Sequence, residues 1–429
     1  MKLILQKILA LLARLVIARQ KPVIVGITGS VGKTSAREAV FAVVSAKMPA
    51  RRAEKNYNNE IGFPLTVLGE KHGGKNLWKW FKIILKSMGK IFKRSADYPR
   101  VLILEYGIDR PGDMDYLLKI ARPDIAVVTA MGEVPVHVEF FKDPKEVVRE
   151  KTKLPAAVGS RGLVVLNADD SAVIKMKEFV SAGVISFGFQ EKTDVRVINY
   201  EFRKSLDKEL GEIPDGISFK IANKGRVVPV RLHNCFGKPQ AYAAAAAAAV
   251  GIRLGMNLVE ISEALGRWDP PPGRLRLLKG NKHSFILDDT YNASPESVRA
   301  ALHTLKFLPG QRKIAVLGDM LELGNYTEIA HRMIGEEAAN FADLILTVGV
   351  RAKFMAEEAL NRKTREEVLE FDSATEAGKV LDLMLKVGDL VLVKGSQGMR
   401  MEKTVEEIMA HPERKSELLV RQEKYWAGN

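Results

Sequence analysis

From Pro22 onward, the chain alternates short apolar runs with stretches of helical spacing. Four runs rich in β-branched residues come first, at residues 23–27, 101–105, 125–129 and 163–166. Strands separated by helices pair in parallel, because each crossover between them needs a helix. The pattern therefore predicts an α/β domain built on a parallel sheet.

The same alternation returns later in the chain, at residues 285–287, 314–317, 344–348 and 390–393. Between the two sets stands a stiff segment from Asp269 to Gly273, which contains three consecutive prolines. Neither a helix nor a central strand crosses such a segment. We therefore predict a central domain over residues 21–272 and a Rossmann-like C-terminal α/β domain over residues 273–429.

Two stretches of the predicted central domain depart from this alternation. Residues 184–236 are β-rich and irregular, which predicts a small β-rich part within the domain. Residues 241–250 are almost all alanine. Because alanine has the highest helix propensity, this run predicts a tightly packed helix rather than disorder.

Basic charge is concentrated in two short segments. The chain of 429 residues carries a formal net charge of +14. Residues 1–22 contain five basic and no acidic residues, and residues 71–100 contain nine basic residues and one acidic residue. A nucleic-acid-binding protein usually spreads basic residues over its binding face. We therefore expect no nucleic-acid partner.

Both basic segments have the spacing of amphipathic helices, one over residues 1–20 and one inside the insertion 71–100. In the second, the apolar positions are Trp78, Phe81, Leu85, Met88 and Phe92, and the lysines on the other side are Lys79, Lys82, Lys86, Lys90 and Lys93. This division suits peripheral contact with an anionic membrane. The alternative, which the sequence leaves open, is that the apolar stripe packs on the protein and the lysines face water.

The first basic segment is a poor membrane span and a doubtful signal peptide. Lys7 and Arg14 interrupt its apolar run, and no clear cleavage site follows. The single cysteine, Cys235, excludes an internal disulfide and a four-thiolate zinc site. With 46% apolar and 28% charged content, the chain is expected to be a globular protein of the cytoplasm, with the inner membrane surface as a candidate place of action.

The strongest chemical signal is the segment Gly26–Thr34, GITGSVGKT, which lies between a predicted strand and a helical pattern from Ser35 to Val44. The backbone amides of such a loop surround phosphates at a helix N-terminus. Lys33 adds positive charge and the Thr34 hydroxyl can hold Mg²⁺. The segment therefore predicts a P-loop ATPase domain, in a variant form with isoleucine at position 27.

Three residues further along have weaker signals when each is taken singly. Glu105 ends a predicted strand, where an acidic side chain can face the metal of a bound nucleotide. His137 is typical of a hydrogen-bonded surface residue, and Lys151 of a solvated helix position. Spacing alone goes no further than a magnesium-nucleotide domain joined to a second α/β domain.

The loop resembles that of the Mur ligases, the ATP-dependent amide ligases that build the peptidoglycan stem peptide. Further segments agree in order: Asn56–Pro64, Glu105–Gly107, His137–Glu139, Gly273–Arg274, Asp288–Pro295, Val316–Gly324 and Val393–Met401. The last three are specific. They most resemble the family member that adds D-alanyl-D-alanine to UDP-N-acetylmuramoyl-tripeptide, so a nucleotide-sugar peptide and a dipeptide are the expected substrates.

The resemblance implies that an amide forms through an acyl phosphate, with release of ADP and phosphate. It implies ATP and two Mg²⁺ ions, and in many Mur ligases the lysine that matches Lys151 is carbamylated. The implied catalytic residues are Lys33, His137, Lys151 and Arg274. The implied cofactor contacts are Gly29, Ser30, Val31, Gly32, Lys33, Thr34, Ser35, Asn59, Arg274 and Asp289. The implied metal ligands are Thr34, Glu105, His137 and Lys151, and the implied substrate contacts are Asn292, Asp319, Glu322, Lys394 and Ser396.

The chain departs from the family pattern in two places. The family usually begins with a domain that grips the uridine nucleotide, whereas the loop here starts at residue 26. We therefore expect the binding site for the uridine nucleotide to be missing or rebuilt, with the basic helices as candidates for its replacement. Lys238, Pro239 and Tyr242 stand where the family's adenine-side segment has other residues, so adenine contacts are not carried over.

Two alternative functions remain open from the sequence. One is an amide ligase of the same fold that acts on another, lipid-linked cell-surface donor, which the basic helices favour. The other is a nucleotide-dependent membrane-surface protein without ligase activity. Arg274, Asp289, Lys394 and Ser396 argue against the second, because such a protein needs no ATP-facing residues in its second domain.

Overall fold

A computed structural model describes residues 2–53, 59–132 and 138–422. The strands are β1 (Val23–Thr28), β2 (Ala50–Arg52), β3 (Val101–Glu105), β4 (Ile125–Val128), β5 (Leu163–Asn167), β6 (Gly183–Gly188), β7 (Val195–Asp207), β8 (Gly211–Asn223), β9 (Arg226–His233), β10 (Arg276–Lys279), β11 (Phe285–Asp289), β12 (Lys313–Gly318), β13 (Leu344–Val348), β14 (Val368–Phe371) and β15 (Leu390–Lys394). The helices are α1 (Lys2–Gln20), α2 (Lys33–Ser45), α3 (Gly62–Leu68), α4 (Leu77–Phe92), α5 (Asp113–Ile120), α6 (Pro144–Ala156), α7 (Ser171–Ile174), α8 (Lys238–Arg253), α9 (Leu258–Gly266), α10 (Pro295–Phe307), α11 (Thr327–Ala339), α12 (Lys353–Ala359), α13 (Ala374–Met384), α14 (Glu402–Ile408) and α15 (Lys415–Leu418).

The first sheet has the strand order β2-β3-β1-β4-β5-β6-β7-β8-β9. All neighbours from β2 to β7 are parallel, and β8 is antiparallel to both β7 and β9. The expected parallel α/β sheet is therefore present. The β-rich residues 184–236 form β6 to β9, which extend the same sheet.

Helices cover both faces of the parallel part of this sheet. On one face, the alanine run of α8 packs against α2 and the strands in a single buried cluster. A Cβ atom on Gly251 would come within 2.9 Å of Val43 Cγ1, so the two helices approach closely where small residues face each other. On the other face, α1, α3, α4, α5 and α6 share a second buried cluster.

The second sheet has the order β10-β11-β15-β12-β13-β14 and is parallel except for the edge strand β10. Its two faces carry separate buried clusters, with α10, α11 and α12 on one side and α13 and α14 on the other. This is the Rossmann-like arrangement expected from the sequence. Residues 268–275 join α9 to β10 without a helix or strand, and the division at residues 272 and 273 remains a prediction.

The structure decides how the two basic helices pack. The five predicted apolar positions of α4 are 41% to 76% exposed. The buried side chains of this helix are instead Trp80, Ile83 and Ser87. The alternative that the predicted stripe packs on the protein is therefore wrong for α4. Within the described residues, no helix is long and apolar enough to cross a bilayer.

Candidate active site

The phosphate loop takes its shape from two glycines and from the strand beside it. Gly29 has φ of 147°, and a Cβ atom there would lie 2.0 Å from Thr129 Oγ1. Gly32, with φ of 85°, is the N-cap residue of α2. The amides of Ser30 and Val31 donate to Ala130 O at 2.7 and 3.1 Å. Only glycine permits this backbone path, which brings the loop directly to the start of α2.

Lys33 lies folded back on the loop. Its Nζ donates to Gly29 O at 2.8 Å and to Ser30 O at 3.4 Å. Burial lowers the pKa of its ammonium, and the nearby charge of Glu105 partly opposes that shift. Within the described residues, the hydrogen bonds of this ammonium go only to carbonyl oxygens, so it is suited to bind an anionic phosphate.

Glu105 and Thr34 bring two oxygen donors together at the carboxyl ends of β1 and β3. Thr34 Oγ1 lies 3.4 Å from Glu105 Oε2, and Arg37 Nη1 lies 3.3 Å from the same oxygen. Mg²⁺ is usually held by one or two carboxylates together with phosphate oxygens and water. Within the described residues, no group of three His, Cys, Asp or Glu side chains could hold a metal without further ligands. The pair therefore fits a site that nucleotide phosphates complete.

Arg274 reaches this pair from the segment that leads into the second sheet. Its Nη2 donates to Thr34 Oγ1 at 3.1 Å. Its guanidinium lies 3.8 Å from the ring centroid of Tyr291, and within the described part of the chain no group accepts from its Nε. Stacking on the ring fixes the guanidinium plane, and this holds the Arg274 side chain at the wall of the cavity.

Lys151 lies on α6 and is 1% exposed. Its Nζ donates to Gly29 O and to Ser30 Oγ, both at 3.0 Å. Burial first, and then the positive charge of Lys33, hold the pKa of the Lys151 ammonium well below its ordinary value. The expectation of a solvated helix lysine is therefore wrong, because the side chain lies behind the phosphate loop and not in water.

These groups surround one cavity of about 340 Å³ between the two sheets. The loop residues 30–34 and Glu105 line it from the first sheet, and Arg274, Asn292 and Glu322 line it from the second. Glu322 has a left-handed backbone, with φ of 64°. Nine of the residues predicted from the sequence therefore line this one cavity, although their positions span almost 300 residues of the chain.

Other predicted residues of the second domain support the cavity from behind. Lys394 Nζ donates to Asp289 Oδ2 at 2.6 Å and to Asn292 O at 2.9 Å. Ser396 Oγ accepts from Leu321 N at 2.8 Å. Asp319 Oδ1 accepts from Ala352 N at 2.7 Å. These contacts order the loops that carry Asn292 and Glu322, and the predicted substrate contacts of the three side chains remain predictions.

Of four further predicted residues, three do not line the cavity and one lies outside the described residues. Asn59 is exposed, lies before α3 and accepts from Gly62 N at 2.8 Å, and it does not line the cavity. Gly29 and Ser35 belong to the loop and to buried α2 and do not line it either. His137 lies outside the described residues.

Sequence reasoning missed several polar residues at the cavity. Asp109, Tyr291, Ser297 and Gln397 line it, and Arg37 contacts Glu105. Tyr291 and Gln397 belong to segments that the resemblance identified, so a closer reading of those segments could have found them. Asp109 follows β3 by four residues in an irregular loop, where spacing gives no signal.

Comparison with known proteins identifies the family. The profile named Mur ligase middle domain matches residues 86–251, and the profile named Mur ligase, glutamate ligase domain, matches residues 273–397. The UDP-N-acetylmuramoyl-tripeptide–D-alanyl-D-alanine ligase of Mycobacterium leprae is 31% identical over 409 residues, which cover 88% of this chain and 71% of the relative. The chain belongs to the Mur ligase family.

Other members of the Mur ligase family extend the comparison. The enzyme of the same name from Bacillus subtilis is 26% identical, over 91% of this chain and 76% of the relative. The structure of MurF ligase from Thermotoga maritima in complex with ADP superposes with a TM-score of 0.77 at 25% identity, covering 96% of this chain and 84% of that one. MurF from Acinetobacter baumannii superposes with a TM-score of 0.75 at 25% identity, over 94% and 80% of the two chains.

Membership of this family confirms the expected fold and enzyme class. The chain is an ATP-dependent ligase with a P-loop domain and a Rossmann-like domain. The site geometry agrees with ATP use, because the loop, Lys33 and Arg274 converge on a cavity of a size and charge that suit a nucleotide phosphate chain.

Proposed function

We propose that this Mur ligase adds D-alanyl-D-alanine to UDP-N-acetylmuramoyl-tripeptide in peptidoglycan synthesis. The observation that carries the ligase chemistry is the bond from Arg274 to Thr34, which joins both halves of the chain around one phosphate cavity. The choice of substrates is supported by relatives whose names specify this reaction. A cell-wall precursor and a dipeptide are thus the proposed small-molecule partners.

The proposed reaction has two steps. A carboxylate oxygen of the donor attacks the γ-phosphorus of ATP, the bond to ADP breaks, and an acyl phosphate forms. The dipeptide nitrogen then attacks the acyl carbon, phosphate leaves with the bonding electron pair, and the nitrogen loses a proton. Lys33 and Arg274 stabilise the negative charge that spreads over the transferring oxygens. Closure of the two domains around the substrates brings both groups to the same phosphate.

Thr34 and Glu105 are the proposed ligands of a first Mg²⁺ ion. Magnesium at this place would neutralise charge on the β- and γ-phosphates. Lys151, Glu105 and His137 are the proposed neighbours of a second ion, and the role of His137 is carried by resemblance alone. Gly29, Ser30, Val31, Gly32 and Ser35 are proposed to hold the phosphates through backbone and hydroxyl groups.

We further propose that Lys151 is carbamylated. A carbamate forms when an uncharged amine attacks CO₂ and loses a proton. The lowered pKa of Lys151 favours the uncharged amine. The product carries a negative charge, so it would replace a repulsion between Lys151 and Lys33 with an attraction and would offer oxygen atoms to Mg²⁺.

The remaining roles are proposals of the same kind. Asn59 and Asp289 are proposed nucleotide contacts, and Asn292, Asp319, Glu322, Lys394 and Ser396 are proposed to form or support the side that binds the amine substrate. The domain division at residues 20, 272 and 273 is retained. We place the enzyme in the cytoplasm, at the inner membrane surface.

One assay tests the proposed function. Purified protein receives ATP, Mg²⁺, UDP-N-acetylmuramoyl-tripeptide and D-alanyl-D-alanine, and phosphate release is followed together with product mass. We expect phosphate release that requires both substrates, and a pentapeptide product. In the folded Lys33→Ala variant, we expect turnover to fall roughly a thousandfold or more, because a charge at the transferring phosphate is lost.

The same assay can contradict the proposal. Turnover only with a lipid-linked donor would move the substrate assignment to that donor. Hydrolysis of ATP that is indifferent to every amine would remove the ligase reaction. Wild-type turnover in Lys33→Ala would remove the phosphate site from this loop.

A further inference from the structure

The exposed surface of α1 and α4 forms an apolar face that nothing in the described chain covers. Within the described residues, these two helices contribute eleven of the twenty-four large apolar side chains that are exposed. They comprise only 35 residues. The exposed apolar residues are Leu3, Ile4, Ile8, Leu11 and Leu15 of α1 and Leu77, Trp78, Phe81, Leu85, Met88 and Phe92 of α4. Such a concentration marks an interaction site rather than ordinary surface.

The surface of α4 is divided into three sectors. At about 100° per residue, Leu77, Met88, Phe81, Phe92, Leu85 and Trp78 follow one another around the helix axis as one exposed apolar sector. Lys82, Lys93, Lys86, Lys79 and Lys90 form the next sector. The third sector holds Trp80, Ile83 and Ser87, which are buried against the protein. The lysines therefore lie on one side of the apolar stripe, and the buried sector lies on the other.

The buried sector fixes α4 in this orientation. Trp80 Nε1 donates to Gly74 O at 3.1 Å, and Asn76 caps the helix by accepting from Lys79 N at 3.2 Å. Lys90 is turned inward and bonds Leu68 O and Glu70. Because these contacts hold the helix on the protein, it cannot rotate to bury its apolar sector.

The helix α1 adds a second stripe next to the first. Leu9, Leu12, Ala13 and Val16 are buried against the protein, and Ile4, Ile8, Leu11 and Leu15 share an exposed side. Lys7 and Arg14 are exposed along the edge of that side.

The two helices are joined at their C-terminal ends. Arg19 Nη2 donates to Phe92 O at 3.3 Å, and Gln20 Nε2 donates to Lys93 O at 3.0 Å. Arg19 borders the stripe of α1, and Phe92 belongs to the stripe of α4. The C-terminal ends of the two helices therefore lie side by side.

We propose that this face of α1 and α4 docks on the surface of an anionic lipid bilayer. Tryptophan, phenylalanine and leucine would enter the boundary between headgroups and acyl chains, while the adjacent lysines would contact lipid phosphates. A helix that rests on the protein along one side can only lie in the interface, which agrees with the absence of a spanning helix among the described residues.

Charge argues against a second copy of the chain as the occupant. The two segments contain fourteen basic residues and one acidic residue, so a symmetric contact would bring like charges together at short range. A lipid surface rich in anionic headgroups offers the opposite charge over an extended area. This inference rests on the geometry of the two helices and does not depend on the ligase reaction.

Vesicle sedimentation tests the proposal with the full-length protein. Vesicles of phosphatidylcholine alone are compared with vesicles that contain phosphatidylglycerol, at low and high salt. We expect binding to the anionic vesicles only, weakened by salt. The variant Lys79→Glu/Lys82→Glu/Lys93→Glu should bind roughly a hundredfold more weakly. A second variant, Trp78→Gln/Phe92→Gln, should also lose binding.

The matched control reverses three exposed lysines elsewhere, Lys177→Glu/Lys192→Glu/Lys208→Glu, and should bind as the wild type does. Far-UV circular dichroism spectra of all four proteins should superimpose, which reports correct folding. Equal loss of binding in the control and the α4 charge variant would overturn the proposal. So would equal binding to neutral vesicles, wild-type binding by the Trp78 and Phe92 variant, or a dimer in solution that the same variant dissolves while vesicles bind nothing.

Discussion

Two lysines in different parts of the molecule are equally buried and have different partners. Lys151, behind the phosphate loop, and Lys394, at the end of β15, are each 1% exposed. Lys394 forms a 2.6 Å ion pair with Asp289. Lys151 donates only to Gly29 O and Ser30 Oγ among the bonds of the described residues. Among the described residues, Lys394 is paired with a carboxylate and Lys151 is bonded to uncharged oxygen atoms.

This difference determines what each amine can do. Burial lowers the pKa of both lysines. The charge of Asp289 opposes that shift at Lys394, whereas the charge of Lys33 reinforces it at Lys151. Lys394 is therefore suited to act as a fixed charge that holds Asp289 and the Asn292 loop. Lys151 is suited to change its charge, because burial and the charge of Lys33 together disfavour the ammonium.

The largest expected effect is on the turnover of a variant at Lys151. Lys151→Ala should lower turnover roughly a thousandfold, because a ligand and its charge are removed from the phosphate site. If a carbamate is the active form, short carboxylic acids should restore part of the activity of this variant, since they can place a carboxylate in the vacated space. Phosphate release with and without added acetate or propionate measures both effects.

A lysine on the same helix provides the control for that experiment. Lys145 is exposed on α6, and Lys145→Ala should keep activity within about twofold of the wild type, since surface changes have small effects. Full activity in Lys151→Ala, or identical behaviour of the two variants, would show that Lys151 is an ordinary buried residue.

In the second test, substitutions at the two lysines should change the free energy of unfolding by different amounts. Lys394→Met leaves the Asp289 carboxylate buried without its cation, which should cost about 3 to 5 kcal/mol in the free energy of unfolding. Lys151→Met removes a buried amine that has no carboxylate partner among the described residues and should cost less than about 1 kcal/mol. The double variant Lys394→Met/Asp289→Asn should recover most of the loss. Urea denaturation measures all three, and equal losses for both lysines would contradict the comparison.

The smallest expected effect is on the pH dependence of stability. It comes from Asp288, which precedes Asp289 of the ion pair in the chain. Asp288 accepts from Thr290 and Gly273 N, and burial raises its pKa to about 6. In the unfolded chain the group releases its proton near pH 4. Between these values the folded state binds more protons, so the free energy of unfolding should fall as pH rises through this window, by about 2 to 3 kcal/mol.

Asp288→Asn removes this titrating group. Its free energy of unfolding should vary less between pH 4 and pH 6 than that of the wild type, measured by urea denaturation at each pH. An unchanged slope in the variant would place the titrating group elsewhere.

The interior strands could be predicted from the sequence, whereas the short edge strands could not. The core strands β1, β3, β4, β5, β11, β12, β13 and β15 appear as apolar runs because both of their faces are covered. The strands β2, β10 and β14 are short edge strands with partly exposed side chains. Their positions depend on a neighbouring strand, which leaves no periodic signal in the chain.

The residues of the candidate site, like the strands, could be predicted from the sequence only in part. The phosphate loop could be predicted from the sequence, because its glycines, a lysine and a hydroxyl lie within nine consecutive residues. The sequence also determined the family through its local segments. Three features could be found only in the folded chain. Lys151 is buried near Lys33, and Arg274 reaches Thr34. The helix α4 buries Trp80 and Ile83 and leaves Trp78 and Phe92 exposed. Burial and partners depend on residues distant in the chain, and helical spacing alone does not determine which side of a helix meets the core.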